Sequence, residues 1–227
     1  METRIVSDPD AAALEGANFI AAEAQNVVAA RGHCVMALSG GRNPWQMLAI
    51  LAGMDLPWSK IHWVQVDERV APDGDPDRNL THIQESLFAR APVPLENLHS
   101  MPVTEVELDE AAASYARTLV QIAGNPPILD LAHLGLGPDG HTASLVPGDP
   151  VLQVLDRDVA MTGEYQKRRR MTLTYPMLNR ARRIFWLVTG AEKAAMTARL
   201  RAADLSIPAG RIRQENALMI ADRAAAA

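Results

Sequence analysis

The sequence predicts an α/β fold with a largely parallel central sheet and helices on both faces. Two observations indicate it: short apolar runs alternate with helical patterns along the chain, and several of the runs end in glycine-rich or polar loops. The 227 residues contain no internal repeat and no linker that would divide the chain. We therefore expect one domain over residues 1–227, with the alanine-rich segment 224–227 as a frayed tail.

The first elements have clear sequence signals. Asp8 and Pro9 predict a helix start, because a carboxylate caps free N–H groups and proline costs nothing at the first helical position. Apolar residues at helical spacing extend this helix to about residue 31. The apolar run 34–38 then predicts a strand, and the glycine turn after it leads into a helix over 44–51.

The order of strand, polar loop and helix recurs further along the chain. The apolar run 61–66 predicts a strand, and Asn79 is expected to cap a helix that reaches about residue 90. The remaining predicted elements are helices over 109–123 and 191–203, and strands over 128–135, 158–164, 170–175, 184–189 and 218–220. Strands and helices that alternate in this way favour parallel pairing through right-handed crossovers.

Composition excludes several classes of protein. The net charge of −5 and a pI of about 5.7 argue against a general nucleic-acid binder, which needs clustered basic residues, so any anion site has to be local. The single cysteine, Cys34, excludes an intramolecular disulfide and a cysteine-based metal site, and its apolar neighbours predict a buried inert thiol. Without a signal-peptide pattern or a long apolar run, a cytoplasmic protein with no membrane contact is expected.

The loops that follow strands are the candidate binding sites, because ligands of parallel sheets bind beyond the carboxyl ends of the strands. Ser39, Gly40, Gly41 and Arg42 lie between a strand and a helix. Glycines there let the backbone approach an anion, and the helix N-terminus adds a partial positive charge. The pattern favours a phosphate site, with an ordinary tight turn as the alternative. The Lys-Ser/Thr ending of a P-loop is absent.

A second loop, 135–140, has the letters of the dinucleotide fingerprint G-x-G-x-x-G. Pro147 and Pro150 leave no room for the long helix that the fingerprint needs, so we interpret the match as accidental. His141 follows directly. A histidine at a cleft can take a proton from water and return it to a leaving oxygen, and Asp139 is close enough in sequence to orient it. The alternative is a plain Asp-Gly turn followed by a surface histidine.

Three further features carry charge near predicted strand ends. Lys193 lies in the first turn of a helix, where a lysine opposes the helix dipole unless an anion is bound between them, so it is a phosphate candidate. The segment 67–69, Asp-Glu-Arg, is either a mixed-charge wall of the cleft or a salt-bridged strand end. The basic run 167–170 is either a solvated turn or the source of one arginine for a pocket. No histidine pair has zinc-ligand spacing.

Taken together, these loops resemble the 6-phosphogluconolactonases, which are relatives of the glucosamine-6-phosphate deaminases. Five segments match the family's motifs in the family's order: LSGGRNP at 38–44, VDERVAP at 66–72 with Asn79 downstream, LGLGPDGHTASL at 134–145, RMTLTYP at 170–176 with LNRA at 178–181, and LVTGAEKA at 187–194. One matching segment would be suggestive, whereas five in register are highly specific.

The resemblance implies a Rossmann-like α/β fold and hydrolysis of 6-phospho-D-glucono-1,5-lactone to 6-phosphogluconate in the pentose phosphate pathway. This carboxylic ester hydrolysis needs no cofactor and no metal. The implied partner is a small sugar-phosphate lactone rather than nucleic acid or membrane, and the implied state is a monomer or small homo-oligomer. The resemblance implies a phosphate site that comprises Ser39, Gly40, Gly41, Arg42, Arg170 and Lys193. It implies that Asp67, Arg69 and Asn79 line the sugar side. The implied catalytic group is His141 with Asp139, and Arg69 or backbone N–H groups are the implied oxyanion donors.

The chain also departs from the family pattern, and rival readings exist. The family usually has a small residue and threonine where this chain has Arg42-Asn43, and serine in place of Arg78. A deaminase would carry a glutamate where alignment on Asp-Gly-His puts Val146, and usually a tyrosine in place of Arg69. A non-catalytic sugar-phosphate sensor would lose His141 and bring a DNA-binding module, for which the chain has no room.

Overall fold

The chain has ten strands and seven α-helices in the computed structural model, which describes residues 1–227. The strands are β1 Glu2–Val6, β2 Cys34–Leu38, β3 Ile61–Gln65, β4 Asp67–Arg69, β5 Leu98–His99, β6 Leu131–Leu134, β7 Val159–Met161, β8 Arg170–Leu173, β9 Arg183–Val188 and β10 Ala217–Asp222. The helices are α1 Pro9–Arg31, α2 Arg42–Leu51, α3 Asn79–Ile83, α4 Leu108–Ala123, α5 Tyr175–Asn179, α6 Ala194–Arg201 and α7 Arg223–Ala226.

Seven strands form a fully parallel sheet in the order β1-β10-β9-β6-β2-β3-β5. Strand β2, inside the sheet, is apolar and buried along its whole length, because helices cover both faces. Its side chains alternate between two cores: Cys34, Met36 and Leu38 pack on the side of α1 and α2, and Val35 and Ala37 on the side of α4. The predicted α/β class, Rossmann-like with a parallel sheet and helices on both faces, is confirmed.

Helix α1 has the boundaries that its caps predict. The carboxylate of Asp8 accepts a hydrogen bond from the N–H of Ala11 at 2.9 Å, and Pro9 is the first helical residue. At the other end Gly32 has a φ of 82° and donates its N–H to the carbonyl of Val28 at 2.8 Å. A left-handed residue of this kind ends a helix, and glycine adopts the conformation without strain.

A second sheet, which the sequence did not predict, accompanies the parallel one. Strands β4, β8 and β7 form a separate antiparallel sheet, in which Asp67 lies opposite Thr172 and Arg69 opposite Arg170. Its strands are three or four residues long, and β4 is charged along its whole length, so they carry little hydrophobic periodicity. The small sheet carries three of the predicted site residues.

Several helix boundaries also differ from the prediction. Arg78, not Asn79, occupies the cap position of α3, because the side chain of Asn79 donates instead to Asp67. The predicted helix to residue 90 ends as a π-helical turn over Gln84–Phe88. Lys193 lies in a 3₁₀ turn that precedes α6 rather than inside the helix. Strand β1, which the sequence did not suggest, pairs with β10 at the edge of the large sheet.

The end of the chain is ordered, which corrects the expectation of a frayed tail at 224–227. Residues Arg223–Ala226 form α7, and the side chain of Ala225 is fully buried. Asp222 caps this helix by accepting the Ala225 N–H at 2.8 Å. A cap and a buried apolar contact are together sufficient to fix a single helical turn.

Two further observations concern the cysteine and the helices. Cys34 lies fully buried in β2, and burial raises the pKa of its thiol, as expected for an inert cysteine. None of the helices is both long and apolar enough to cross a membrane.

Candidate active site

A cavity of about 500 Å³ opens at the carboxyl edge of the parallel sheet. The loops after β2, β6 and β9 line it together with the small antiparallel sheet. Ten predicted site residues line it: Ser39, Gly40, Gly41, Arg42, Asp67, Arg69, Asn79, His141, Arg170 and Lys193. The eleventh, Asp139, contacts His141. Residues from five distant segments of the sequence therefore meet at one place.

His141 and Asp139 form a hydrogen-bonded pair. The Nδ1 atom of His141 lies 2.5 Å from Oδ1 of Asp139, and the backbone N–H of His141 donates to the same oxygen at 3.1 Å. The hydrogen bonds from His141 hold the pKa of Asp139 well below its usual range, so the carboxylate is ionised and can only accept. Nδ1 is then the protonated nitrogen, and Nε2 of neutral His141 carries the free lone pair.

A glycine makes room for this pair. The loop 137–141 closes through a hydrogen bond from Gly137 N–H to the His141 carbonyl at 2.8 Å. A Cβ atom built on Gly137 would collide with the His141 ring and lie 2.7 Å from Oδ1 of Asp139. Gly137 therefore allows the backbone to pack closely against the histidine. This role is consistent with the interpretation that the match to the dinucleotide fingerprint is accidental.

The loop after β2 presents backbone donors to the cavity. The first residues of α2, Arg42 and Asn43, have N–H groups without helical partners, as at every helix start. The Ser39 N–H donates to Nδ1 of His133 at 3.3 Å, so the loop rests on a histidine beneath it. His133 is completely buried, and burial lowers its pKa to about 3, which keeps it neutral and able to accept that bond. Its Nε2 is buried without a hydrogen-bond partner.

Two arginines lie directly opposite each other across β4 and β8. Arg69 and Arg170 are partners in the antiparallel register, and both line the cavity. Like charges placed opposite each other in a sheet are destabilising unless something neutralises them. Burial lowers the pKa of Arg170, which is only 4% exposed and whose Nε has no hydrogen-bond partner. Together with half-buried Lys193, whose pKa burial also lowers, they form a positively charged wall suited to an anion.

The basic run 167–170 contributes one arginine to the cavity, and that residue is Arg170. Arg168 turns away and pairs with Asp75 and Asp77 at 3.2 and 2.9 Å. Arg169 points its Nε toward the carbonyl of Thr162 at 3.5 Å. Arg168 and Arg169 precede β8, and only Arg170, its first residue, pairs with Arg69 in the small sheet.

Asp67 is fixed by hydrogen bonds from Ser144 and Asn79. Its Oδ2 accepts from the Ser144 hydroxyl at 2.6 Å, and Asn79 Nδ2 donates to its backbone carbonyl at 3.1 Å. The Oδ1 of Asn79 is buried without a partner beside Gly40, where any larger residue would collide with it. Sequence reasoning missed Ser144, although it lies three residues after His141 in a matching motif.

Glu68 lies between two cavity-lining residues and points the other way. Its carboxylate is completely buried and accepts backbone N–H bonds from Arg69, Asn79 and Leu80 at 2.7 to 2.8 Å. The Arg78 guanidinium lies 3.2 Å from it. The mixed-charge wall predicted for 67–69 therefore consists of Asp67 and Arg69 only. Strand periodicity in this segment was the signal that could have separated Glu68 from its neighbours.

A polar cavity with a histidine–carboxylate pair and clustered cations, at the carboxyl edge of a parallel sheet, is typical of α/β enzymes that act on small anionic substrates. The family model described as glucosamine-6-phosphate isomerases/6-phosphogluconolactonase matches residues 7–220. The chain therefore belongs to this family.

Individual relatives agree with that assignment. The chain is 37% identical over 214 residues to a 6-phosphogluconolactonase of Mycobacterium tuberculosis, covering 88% of this chain and 87% of the relative. It is 39% identical over 170 residues to a 6-phosphogluconolactonase of Synechocystis, covering 73% and 70%. The solved structure of 6-phosphogluconolactonase from Thermotoga maritima superimposes with a TM-score of 0.85 at 28% identity, covering 97% of this chain and 98% of that one.

Proposed function

We propose that this chain hydrolyses 6-phospho-D-glucono-1,5-lactone to 6-phosphogluconate, the lactonase reaction of the pentose phosphate pathway. The observation that carries the proposal is the Asp139–His141 pair in the same cavity as the opposed arginines Arg69 and Arg170. One group provides proton transfer and the other binds an anion. Two of the relatives, from Synechocystis and Mycobacterium tuberculosis, are named 6-phosphogluconolactonase, and that name supplies the substrate that needs both.

The phosphate is held by cations and backbone donors. We assign it to Lys193, Arg170, Arg42 and the loop of Ser39, Gly40 and Gly41 at the start of α2. A phosphate dianion there relieves the repulsion between the two opposed arginines. Binding at this end fixes the lactone carbonyl relative to His141, which lowers the entropic cost of the reaction. Asp67 and Asn79 face the sugar hydroxyls.

Proton transfer falls to His141. Its Nε2 takes a proton from water, and the oxygen of that water forms a bond to the lactone carbonyl carbon. Arg69 or backbone N–H groups stabilise the oxyanion that results. When the tetrahedral intermediate collapses, the bond from that carbon to the ring oxygen breaks, and His141 returns the proton to the ring oxygen. Asp139 stabilises the imidazolium between the two steps.

We infer further that the protein acts in the cytoplasm and that one domain spans the chain. Its state is a monomer or small homo-oligomer. The net charge of −5 and the local character of the positive wall support a single small-molecule partner rather than nucleic acid. The only thiol is buried and unpaired, which fits a reducing compartment. The mechanism uses only protein groups and water.

The first prediction is the activity itself. Purified protein added to freshly prepared 6-phosphogluconolactone is expected to release acid well above the spontaneous background, and pH-stat titration measures the rate. Ammonia release from glucosamine 6-phosphate serves as the second arm, and none is expected because apolar Val146 occupies the place of a deaminase glutamate. Acid release at the background rate, or rapid ammonia release, contradicts the proposal.

The second prediction concerns the phosphate. Lys193→Ala is expected to raise KM for the lactone about tenfold to a hundredfold, because a charged hydrogen bond to the phosphate contributes about 1.5–3 kcal/mol. Unphosphorylated glucono-1,5-lactone is expected to be hydrolysed by parent and variant alike. Lys60→Ala, an exposed lysine just before β3 and far from the cavity, is the matched control. A KM equal to that of the Lys60 variant would refute the assignment.

A further inference from the structure

A hairpin between β7 and β8, residues 162–170, packs its inner side against the active site. It closes with a hydrogen bond from Tyr165 N–H to the Arg168 carbonyl at 3.0 Å. The two tip residues, Gln166 and Lys167, have φ values of 52° and 66°. This turn geometry favours glycine or asparagine, because a positive φ costs free energy for residues with larger side chains. That Gln166 and Lys167 adopt it indicates that neighbouring contacts impose the conformation.

Those contacts hold both sides of the hairpin tip. On the outer side, Arg168 pairs with Asp75 and Asp77 of the loop 71–78. On the inner side, the Gln166 side chain accepts a hydrogen bond from Arg170 Nη2 at 3.1 Å. Tyr165 directly precedes Gln166 and pairs with Arg168 through the backbone, so these contacts keep it in one orientation.

Tyr165 contacts three groups of the proposed mechanism. Its hydroxyl donates to Oδ2 of Asp139 at 3.2 Å, while Oδ1 of that carboxylate contacts His141. Its ring meets the His141 ring edge-on, with centroids 5.6 Å apart. The Arg170 guanidinium carbon lies 4.9 Å from the centre of the Tyr165 ring. With both carboxylate oxygens bonded, the plane of Asp139 cannot rotate away from His141.

We propose that Tyr165 is a positioning residue of this active site: its hydroxyl holds Asp139 against His141, and its ring supports Arg170. This inference rests on the proposed function, in which those residues carry the proton and the phosphate. The hydroxyl stays protonated and available as a donor, because burial and the Asp139 carboxylate raise the pKa of Tyr165.

The two halves of the role have different kinetic signatures. Tyr165→Phe removes the hydroxyl but keeps the ring under Arg170, so kcat is expected to fall about tenfold while KM stays within about twofold. Tyr165→Ala also removes the ring, so KM is expected to rise several-fold as well, through the lost cation–π contact. Tyr175→Phe is the matched control, because its buried hydroxyl donates at 3.1 Å to the carbonyl of Pro208, away from the cavity.

A pH profile separates positioning from mere stability. Without the tyrosine donor, Asp139 is free to turn away from His141 and holds the imidazolium less strongly. The low-pH limb of the kcat profile is therefore expected to move to lower pH in Tyr165→Phe and to stay in place in Tyr175→Phe. The charged and titratable groups around His141 are Asp139, Tyr165, Arg170 and Lys193, together with Arg42, Asp67, Arg69 and Glu192 of the same cavity, and the variant changes only Tyr165.

The experiment is decisive whether or not the chain is a lactonase. If the parent hydrolyses the lactone and Tyr165→Phe matches its kcat and pH profile, the inference is overturned and the proposed function stands. An unchanged KM in folded Tyr165→Ala overturns the role of the ring. If the parent does not hydrolyse the lactone, NMR titration of the His141 ring protons in the free protein still applies. A midpoint that is lower in Tyr165→Phe than in the parent supports the inference, and an equal or higher midpoint overturns it.

Discussion

A His141→Ala variant is expected to lose about a thousandfold in kcat for the lactone while KM changes by less than about threefold, because acid–base catalysis contributes about 10²–10⁴-fold. The same imidazole serves both the attack of water and the departure of the ring oxygen, so no second group takes over either step. The phosphate contacts lie on other residues, so substrate binding survives. Steady-state kinetics against the spontaneous rate measure both parameters.

Two companion variants sharpen this result. His33→Ala removes an exposed histidine and is expected to keep the parent kcat. Asp139→Asn preserves shape, but its amide donates to Nδ1 and moves the proton to Nε2, the nitrogen that has to accept a proton from water. We expect it to lose about a hundredfold or more in kcat. A His141→Ala protein that hydrolyses the lactone at the parent rate would eliminate the proton-transfer role.

Local signals predicted five of the seven strands of the large sheet and its first helix correctly. The cap at Asp8-Pro9 and the apolar run 34–38 depend only on neighbouring residues, so they are readable from a short window. The antiparallel sheet is different, because β4 and β8 are about 100 residues apart and their pairing is decided by tertiary contact. Asn79 illustrates the same limit. Its local preference is a helix cap, but bonds to Asp67 outweigh that preference.

Residues of the candidate site were likewise predicted where the sequence signal is local and missed where it depends on tertiary contacts. Residues in glycine-rich loops after strands were found because the carboxyl edge of a parallel sheet collects them. Tyr165 lies in no such loop, and nothing in its sequence neighbours shows that its hydroxyl meets Asp139, 26 residues away. Glu68 was placed beside its neighbours as a wall residue, and only the strand conformation of β4 turns it inward.

The buried carboxylate of Glu68 leads to the largest expected loss of stability. Glu68→Gln is expected to lower the free energy of unfolding by about 3–5 kcal/mol, because it removes the buried counter-charge of Arg78 and leaves only the exposed carboxylate of Asp73 beside that guanidinium. The amide also turns donors toward at least one of the backbone N–H groups of Arg69, Asn79 and Leu80 that the carboxylate now accepts. Urea unfolding followed by circular dichroism measures the change.

Glu110→Gln is the matched control for that substitution. Glu110 pairs with Arg117 at 3.2 Å, the same separation as Glu68 and Arg78, but the side chains of Glu110 and Arg117 are both exposed. Water already solvates those charges, so a change within about 1 kcal/mol is expected. Equal effects of the two substitutions would show that burial does not decide the contribution of Glu68. A large difference would identify the Glu68 carboxylate as the anchor that fixes Asp67 and Arg69 on the cavity side of β4. Both residues adjoin Glu68 in the chain, and the backbone N–H of Arg69 donates to its carboxylate.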